Sequence, residues 1–300
     1  MRSHGEVVGP EGLAAFAEET QVGYTTKDYN LKNFSGISIS GVGTVNLKKS
    51  DDWKVSVTLP EDMLEFLSVE VRGNDLVIGL KNVTLKKQKN LREWKVTADI
   101  SMPLLASLEM TGATKFYCGD SFDLGERTFS MELSGASKAS GINVTAKRLD
   151  LEMGGATSAD ITGVFDYAEI EMGGASRCDL NISALTLDQE LTGAAKAYYK
   201  GDFNTVNLDA SGAGVFSIKG LVKKMKAEAS GAVKVETFDA EVDNASISFS
   251  GAAYGEINAL NSLKVEMSGG ASVRYRDNEG LKVDVVSMGR GASLRRVAKD

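Results

Sequence analysis

A Gly-Ala pair recurs along this 300-residue chain from about residue 105 onward, and its spacing constrains the fold more than any other feature. The glycines stand at Gly112, Gly135, Gly155, Gly174, Gly193, Gly212, Gly231, Gly251, Gly270 and Gly291, at intervals of 23, 20, 19, 19, 19, 19, 20, 19 and 21 residues. Ahead of each glycine the sequence alternates. Leu149, Leu151 and Met153 precede Gly155, and Val206, Leu208 and Ala210 precede Gly212, with polar residues between them. Period-two alternation marks a strand with one buried face. A unit of 19 residues cannot bury that face alone, so the units must stack.

These features predict an all-β chain, a parallel β-helix or β-solenoid with coils of about 19 residues. Its hand is expected to be right, because parallel crossovers are right-handed in nearly all cases. Each glycine then falls at a bend where a Cβ would clash or φ is positive. Nine intervals at about 4.8 Å make a rod of about 43 Å. Residues 24–103 read as a β-rich N-terminal cap, needed because a terminal coil presents an unpaired edge. Gly73-Asn74-Asp75 predicts a hairpin turn, Pro60-Glu61-Asp62 opens a helical turn through Phe66, and Thr84–Arg92 reads as an exposed basic loop. Residues 1–23 read as a flexible lead-in, and residues 104–300 as the solenoid.

Composition narrows the function. Lys plus Arg number 34 against 41 Asp plus Glu, a formal charge of -7. Nucleic acid is therefore not expected as a partner, since phosphate binding needs a basic surface. No apolar run is long enough for a transmembrane helix. The opening residues carry only a short apolar run, Leu13–Ala17, flanked by Glu11 and Glu18, so no secretory signal is visible. The one histidine, His4, lies in the lead-in.

The stretch FSGISISGVGTVNL (Phe34–Leu47), then LSVEVRGNDLVIGL (Leu67–Leu80), then the Ser-Gly-Ala units resemble one family over roughly residues 30–295. It is the putative auto-transporter adhesin, head GIN domain family of bacterial surface proteins. The resemblance implies a right-handed β-helix-like fold and a place in the cell envelope, at the surface or in the periplasm. It supplies no catalytic or binding residues.

The candidate site is a column of acidic residues three positions before the repeat glycine: Glu109, Glu132, Glu152, Glu171, Glu190, Asp209 and Glu228. Ser248 interrupts it, and Glu266 resumes it one position out of phase with Gly270. Stacked at about 4.8 Å, neighbouring carboxylates repel by about 0.9 kcal/mol even at water's dielectric constant. Lys115, Lys138, Arg177, Lys196 and Lys234, three positions after the glycine, would compensate if the bend closed a salt-bridged ladder. Glu132, Glu152, Glu171, Glu190, Asp209 and Glu228 are the ladder residues that a cation or other ligand would meet. The plainer reading is a solvated face that resists aggregation. Thr111, Ser134, Thr192, Ser211, Ser230 and Ser250 form a hydroxyl column, read as small residues at the bend. Tyr198, Tyr199, Tyr254 and Tyr275 are aromatic residues that could meet a sugar, and Gln189 falls at an otherwise apolar position. Cys118 and Cys178 are expected to be separate free thiols, being too far apart along the rod for a bridge.

No Ser-His-Asp set, His/Cys metal cluster or phosphate-binding glycine loop occurs, and Gly41-Val42-Gly43 is followed by no helix. No cofactor is implied. The first functional expectation is a non-catalytic envelope or cell-surface adhesin-like or scaffold protein binding through an extended sheet face. Its partner is a surface glycan, a protein or a second copy of itself. The alternative is a carbohydrate-active β-helix enzyme using surface carboxylates. Against it, a uniform ladder does not push two carboxylate pKa values apart.

Overall fold

The computed structural model describes residues 23–81 and 96–298. His4 and the Thr84–Arg92 segment lie outside the described residues. The fold is an all-β solenoid, and among the described residues 23 strands join in one continuous sheet. Ser158–Met172 pairs in parallel with Arg177–Leu191 at an offset of 19 residues, aligning Glu171 with Glu190 and Met172 with Leu191. Arg177–Leu191 in turn pairs with Lys196–Lys200 and Phe203–Ala210 at the same offset. The alternation seen in the sequence becomes two sides of one strand. Leu187, Gln189 and Leu191 are buried, while Glu190 is exposed between them. The inward residues of the coils up to Val273 form one apolar core, with Phe116, Phe129, Phe216 and Phe249 fully enclosed.

The repeat glycine has a double cause. Gly135, Gly155 and Gly174 have φ of +74°, +73° and +66°, a region that costs L-residues with a Cβ about 1–2 kcal/mol. A Cβ on each would also lie 2.5 Å from the carbonyl oxygen of the repeat glycine one coil back. That oxygen is occupied. Gly155 O accepts the N–H of Ala175 at 2.8 Å, and Gly174 O accepts that of Ala194 at 2.7 Å. The Gly-Ala pair is thus the hydrogen-bonded corner on which successive coils rest.

This corner corrects two expectations. The glycine in the +64° conformation near residue 270 is Gly269. Gly270 takes the place of the alanine, its N–H bonded to Gly251 O at 2.7 Å. Counted from Gly269, Glu266 is in phase, and it aligns directly with Ser248. The corner also begins earlier than the Gly-Ala pairs do. Gly41 (φ +107°) aligns with Gly112.

The strand Gly36–Lys49 stacks under Ser107–Cys118 along 12 paired positions. Its other edge pairs in parallel with Asp75–Leu80 and Thr97–Met102. Beyond these the direction reverses. Lys54–Pro60 runs antiparallel to Thr97–Met102, Tyr24–Tyr29 antiparallel to Lys54–Pro60, and Leu67–Arg72 antiparallel to Asp75–Leu80. The hairpin turns at Gly73-Asn74, with Gly73 at φ +61°. A 3-10 helix, Glu61–Phe66, buries Met63 completely. At the opposite end, Lys282–Met288 is exposed along its whole length.

Two broad faces follow from the corner. Strand segments ahead of the glycine make an acidic face, and those after it make a mixed face. Each displays its outward residues as columns along the rod.

Candidate functional site

The acidic column is real and in register. Glu109 aligns with Glu132, Glu132 with Glu152, Glu152 with Glu171, Glu171 with Glu190, Glu190 with Asp209, and Asp209 with Glu228. All seven carboxylates are exposed. Ser38 extends the column downward, its hydroxyl donating to Glu109 Oε2 at 2.8 Å.

The salt-bridged ladder across the bend does not form. Arg177 turns to Asp179 two residues along its own strand, at 2.7 Å, rather than to the acidic column. Charge is neutralised within a face instead. Lys226 pairs with Glu228 at 2.6 Å and Lys264 with Glu266 at 3.3 Å. The reason is strand geometry: side chains at i and i+2 share a face, whereas the Gly-Ala turn lies between the two columns. Among the described residues, Glu132, Glu152, Glu171, Glu190 and Asp209 have no cation within ion-pair distance. Burial pushes the Glu132 carboxyl above its ordinary value, and Glu152 and Glu109 push it the same way.

A second outward column lies two residues ahead of the first. Ser130, Asp150, Glu169, Asp188, Asn207 and Lys226 align in successive coils. Here the carboxylates have partners. Arg148 donates to both Asp150 and Glu169 and lies 4.5 Å over the Tyr167 ring. Tyr167 donates its hydroxyl to Asp188, which pushes the phenol up to about 12, with burial adding to it. Asn207 also donates to Asp188, at 2.6 Å. A concavity of about 310 Å³ opens between the two columns, with Glu171, Glu190 and Asp209 on one side and Glu169, Asp188 and Lys226 on the other.

The mixed face carries a second concavity, of about 370 Å³, bordered by Asp160, Asp179 and Tyr198 and by Thr162, Asn181, Lys200 and Lys219. The Arg177 guanidinium covers the Tyr198 ring at 4.3 Å while both its Nε and Nη2 donate to Asp179. The sequence named Tyr198 and Arg177 for separate reasons and did not bring them together with Asp179. The signal available was an aromatic residue flanked by Arg and Asp in adjacent units.

The remaining candidates separate cleanly. Tyr199 is buried, 3% exposed, and cannot meet a ligand. Its ring packs on Phe203 and Phe216, and its hydroxyl donates to Gln189. Gln189 in turn donates to Ile170 O at 3.0 Å and Glu190 O at 2.6 Å, so this amide is a satisfied part of the core. Tyr198 and Tyr254 are half-buried on the mixed face, whereas Tyr275, aligned with the buried Ile257, packs against the core. Tyr254 donates to Glu256, which also receives Arg274. Thr192 of the hydroxyl column donates to Met172 O. Cys118 and Cys178 are free and buried, and burial pushes both thiols up. A buried hydroxyl file, Thr114, Ser137, Thr157 and Ser176, escaped the sequence reading. Among the described residues no group of three or more His, Cys, Asp or Glu side chains has metal-binding geometry.

The family model described as putative auto-transporter adhesin, head GIN domain, matches residues 33–188 and 168–278. The chain belongs to this family. Its solved relatives include a putative adhesin from Parabacteroides distasonis ATCC 8503, 19% identical, covering 92% of this chain and 98% of that one, with a TM-score of 0.53. A putative lipid binding protein from the same organism is 15% identical over 92% and 98% of the two chains, with a TM-score of 0.48. A putative adhesin from Parabacteroides merdae ATCC 43184 is 14% identical over 91% and 96%, with a TM-score of 0.47. At 19% identity the first of these likenesses speaks of the fold alone. No curated protein matches. The head GIN match spans both the segment around Gly41 and the Gly-Ala coils, so the corner and both faces lie within the family's own sequence pattern.

Proposed function

We propose that this head GIN protein is a non-catalytic, adhesin-like module of the cell envelope or surface that binds its partner through a broad sheet face. The observation that supports it most is the register of the outward columns. Seven successive coils present a carboxylate at one position, an extended surface rather than a single pocket. Residues 104–300 act as the display rod in this reading, and residues 24–103 close one of its ends. The six ladder residues Glu132, Glu152, Glu171, Glu190, Asp209 and Glu228 carry charge that selects against anionic partners on that face and toward cationic ones.

The experiment is retention of the purified protein on a glycan array and on immobilised envelope proteins, with product analysis of every polysaccharide retained. Saturable retention without shortening of the polysaccharide supports the reading. Release of new reducing ends or unsaturated products would favour the enzyme, and retention on neither surface would count against both.

A further inference from the structure

The acidic concavity and the mixed concavity differ in what they leave for a ligand. In the mixed concavity the acids are already engaged. Asp160 accepts the N–H of Gly141 at 2.6 Å, and Asp179 accepts two N–H groups of Arg177 at 3.0 and 2.7 Å. Lys219 is paired with Asp239 at 2.6 Å. What remains unpartnered among the described residues is the Thr162 hydroxyl, the Asn181 amide and the Lys200 ammonium. These three stand in line along the rod, Thr162 aligned with Asn181 and Asn181 with Lys200. Beside them runs Tyr198, its ring fixed by Arg177 on one side.

We propose that this concavity binds a short run of an acidic polysaccharide. A uronate carboxylate sits on Lys200, sugar hydroxyls meet Asn181 and Thr162, and an apolar sugar face lies on the Tyr198 edge. The inference rests on the reading that a sheet face does the binding, and it names which face and which ligand class. Three considerations carry it. The free groups are one cation and two neutral hydrogen-bonding groups beside an aromatic ring, which suits a polyhydroxylated anion. The strip from Thr162 to Lys219 spans four coils, about 14 Å, so an extended chain fits along the rod. The strands beneath it are paired on both edges. A peptide adds to a sheet through an open edge, and no edge is open here.

The test is calorimetric titration of the whole protein with oligogalacturonate, with a maltooligosaccharide as neutral control and oligoaspartate as acidic-peptide control. The expected result is saturable binding of the uronate alone. It weakens about tenfold or more in Lys200→Glu, as loss of a charge-assisted contact requires. It weakens also in Tyr198→Ala, and it is unchanged in Asp284→Asn on the exposed strand Lys282–Met288. Lys200→Gln, with thermal melts of each variant, separates lost binding from lost folding. Equal affinity in Lys200→Glu, equal affinity for the neutral sugar, or equal affinity for oligoaspartate would overturn the assignment. Absence of uronate binding in a protein that is still retained by another surface partner would overturn this site while leaving the adhesin-like reading in place.

Discussion

The glycine corner and the broad faces of this solenoid obey opposite rules. At the corner the backbone itself is the constraint. From Gly112 to Gly269 every coil has a glycine at positive φ whose missing Cβ makes room for the carbonyl of the coil below. On the faces the outward positions carry Glu, Asp, Lys, Arg, Tyr, Ser or Asn in turn, and the ladder beneath them does not change. The difference teaches where to look for function. Shape is written in the corner, and side-chain variety is confined to the columns, where the proposed binding would lie.

The sharpest way to break this contrast is the glycine pair in one turn. Gly155→Ala brings a Cβ to 2.5 Å from Gly135 O at φ +73°. It is expected to cost about 4 kcal/mol, in the range reserved for a forbidden backbone state plus a clash. Gly154→Ala, one residue earlier, meets nothing within 4 Å and should change stability by less than about 0.5 kcal/mol. Urea unfolding of the two variants side by side checks it, and equal losses would mean the corner is not the constraint.

A middle effect comes from inside a face. Tyr199→Phe removes the donor to Gln189 Oε1 in the core. The orphaned acceptor should cost about 1–3 kcal/mol, and Gln189→Leu added to it should return most of the loss. Chemical denaturation of the single and double variants reads both numbers.

The smallest effect lies on the acidic column. Burial and then the neighbouring Glu152 and Glu109 raise the Glu132 carboxyl in the folded state. A raised acid binds its proton more tightly folded than unfolded. Its contribution is therefore most favourable below the ordinary carboxylate value and is lost as pH rises through the raised one. Glu132→Gln should be the more stable protein at pH 7, by a few tenths of a kcal/mol for so exposed a group. The gap should close toward about pH 4 and shrink in high salt. Thermal melts across that pH range test the sign, and a gap that widens in acid would contradict it.

Much of this was legible in the chain. The corner announced itself because only glycine serves there, so the 19-residue period survives every change on the faces. Gly41 was missed because its turn reads Ser-Gly-Val and the chain leaves the stack before returning at Ser107. Gly270 was mistaken for the corner because the alanine site of that coil is itself a glycine. The columns were readable from parity, which also shows why Tyr198 and Tyr199 could not both face out. Ion pairing was not readable. The distance between columns across a turn depends on the turn's path, while pairs such as Lys226 and Glu228 depend only on strand geometry.

The measurement closest to the centre of this account is paired-cysteine cross-linking along the acidic column, with the buried native thiols left in place. Glu171→Cys with Glu190→Cys places the two Cα atoms one coil apart, about 4.8 Å, inside the span of a disulfide. Glu152→Cys with Glu190→Cys places them two coils apart, about 9.6 Å. Rapid oxidation of the first pair and none of the second is the predicted result. Equal oxidation of both, or of the second alone, would contradict the register on which the corner, the columns and the proposed binding face all depend.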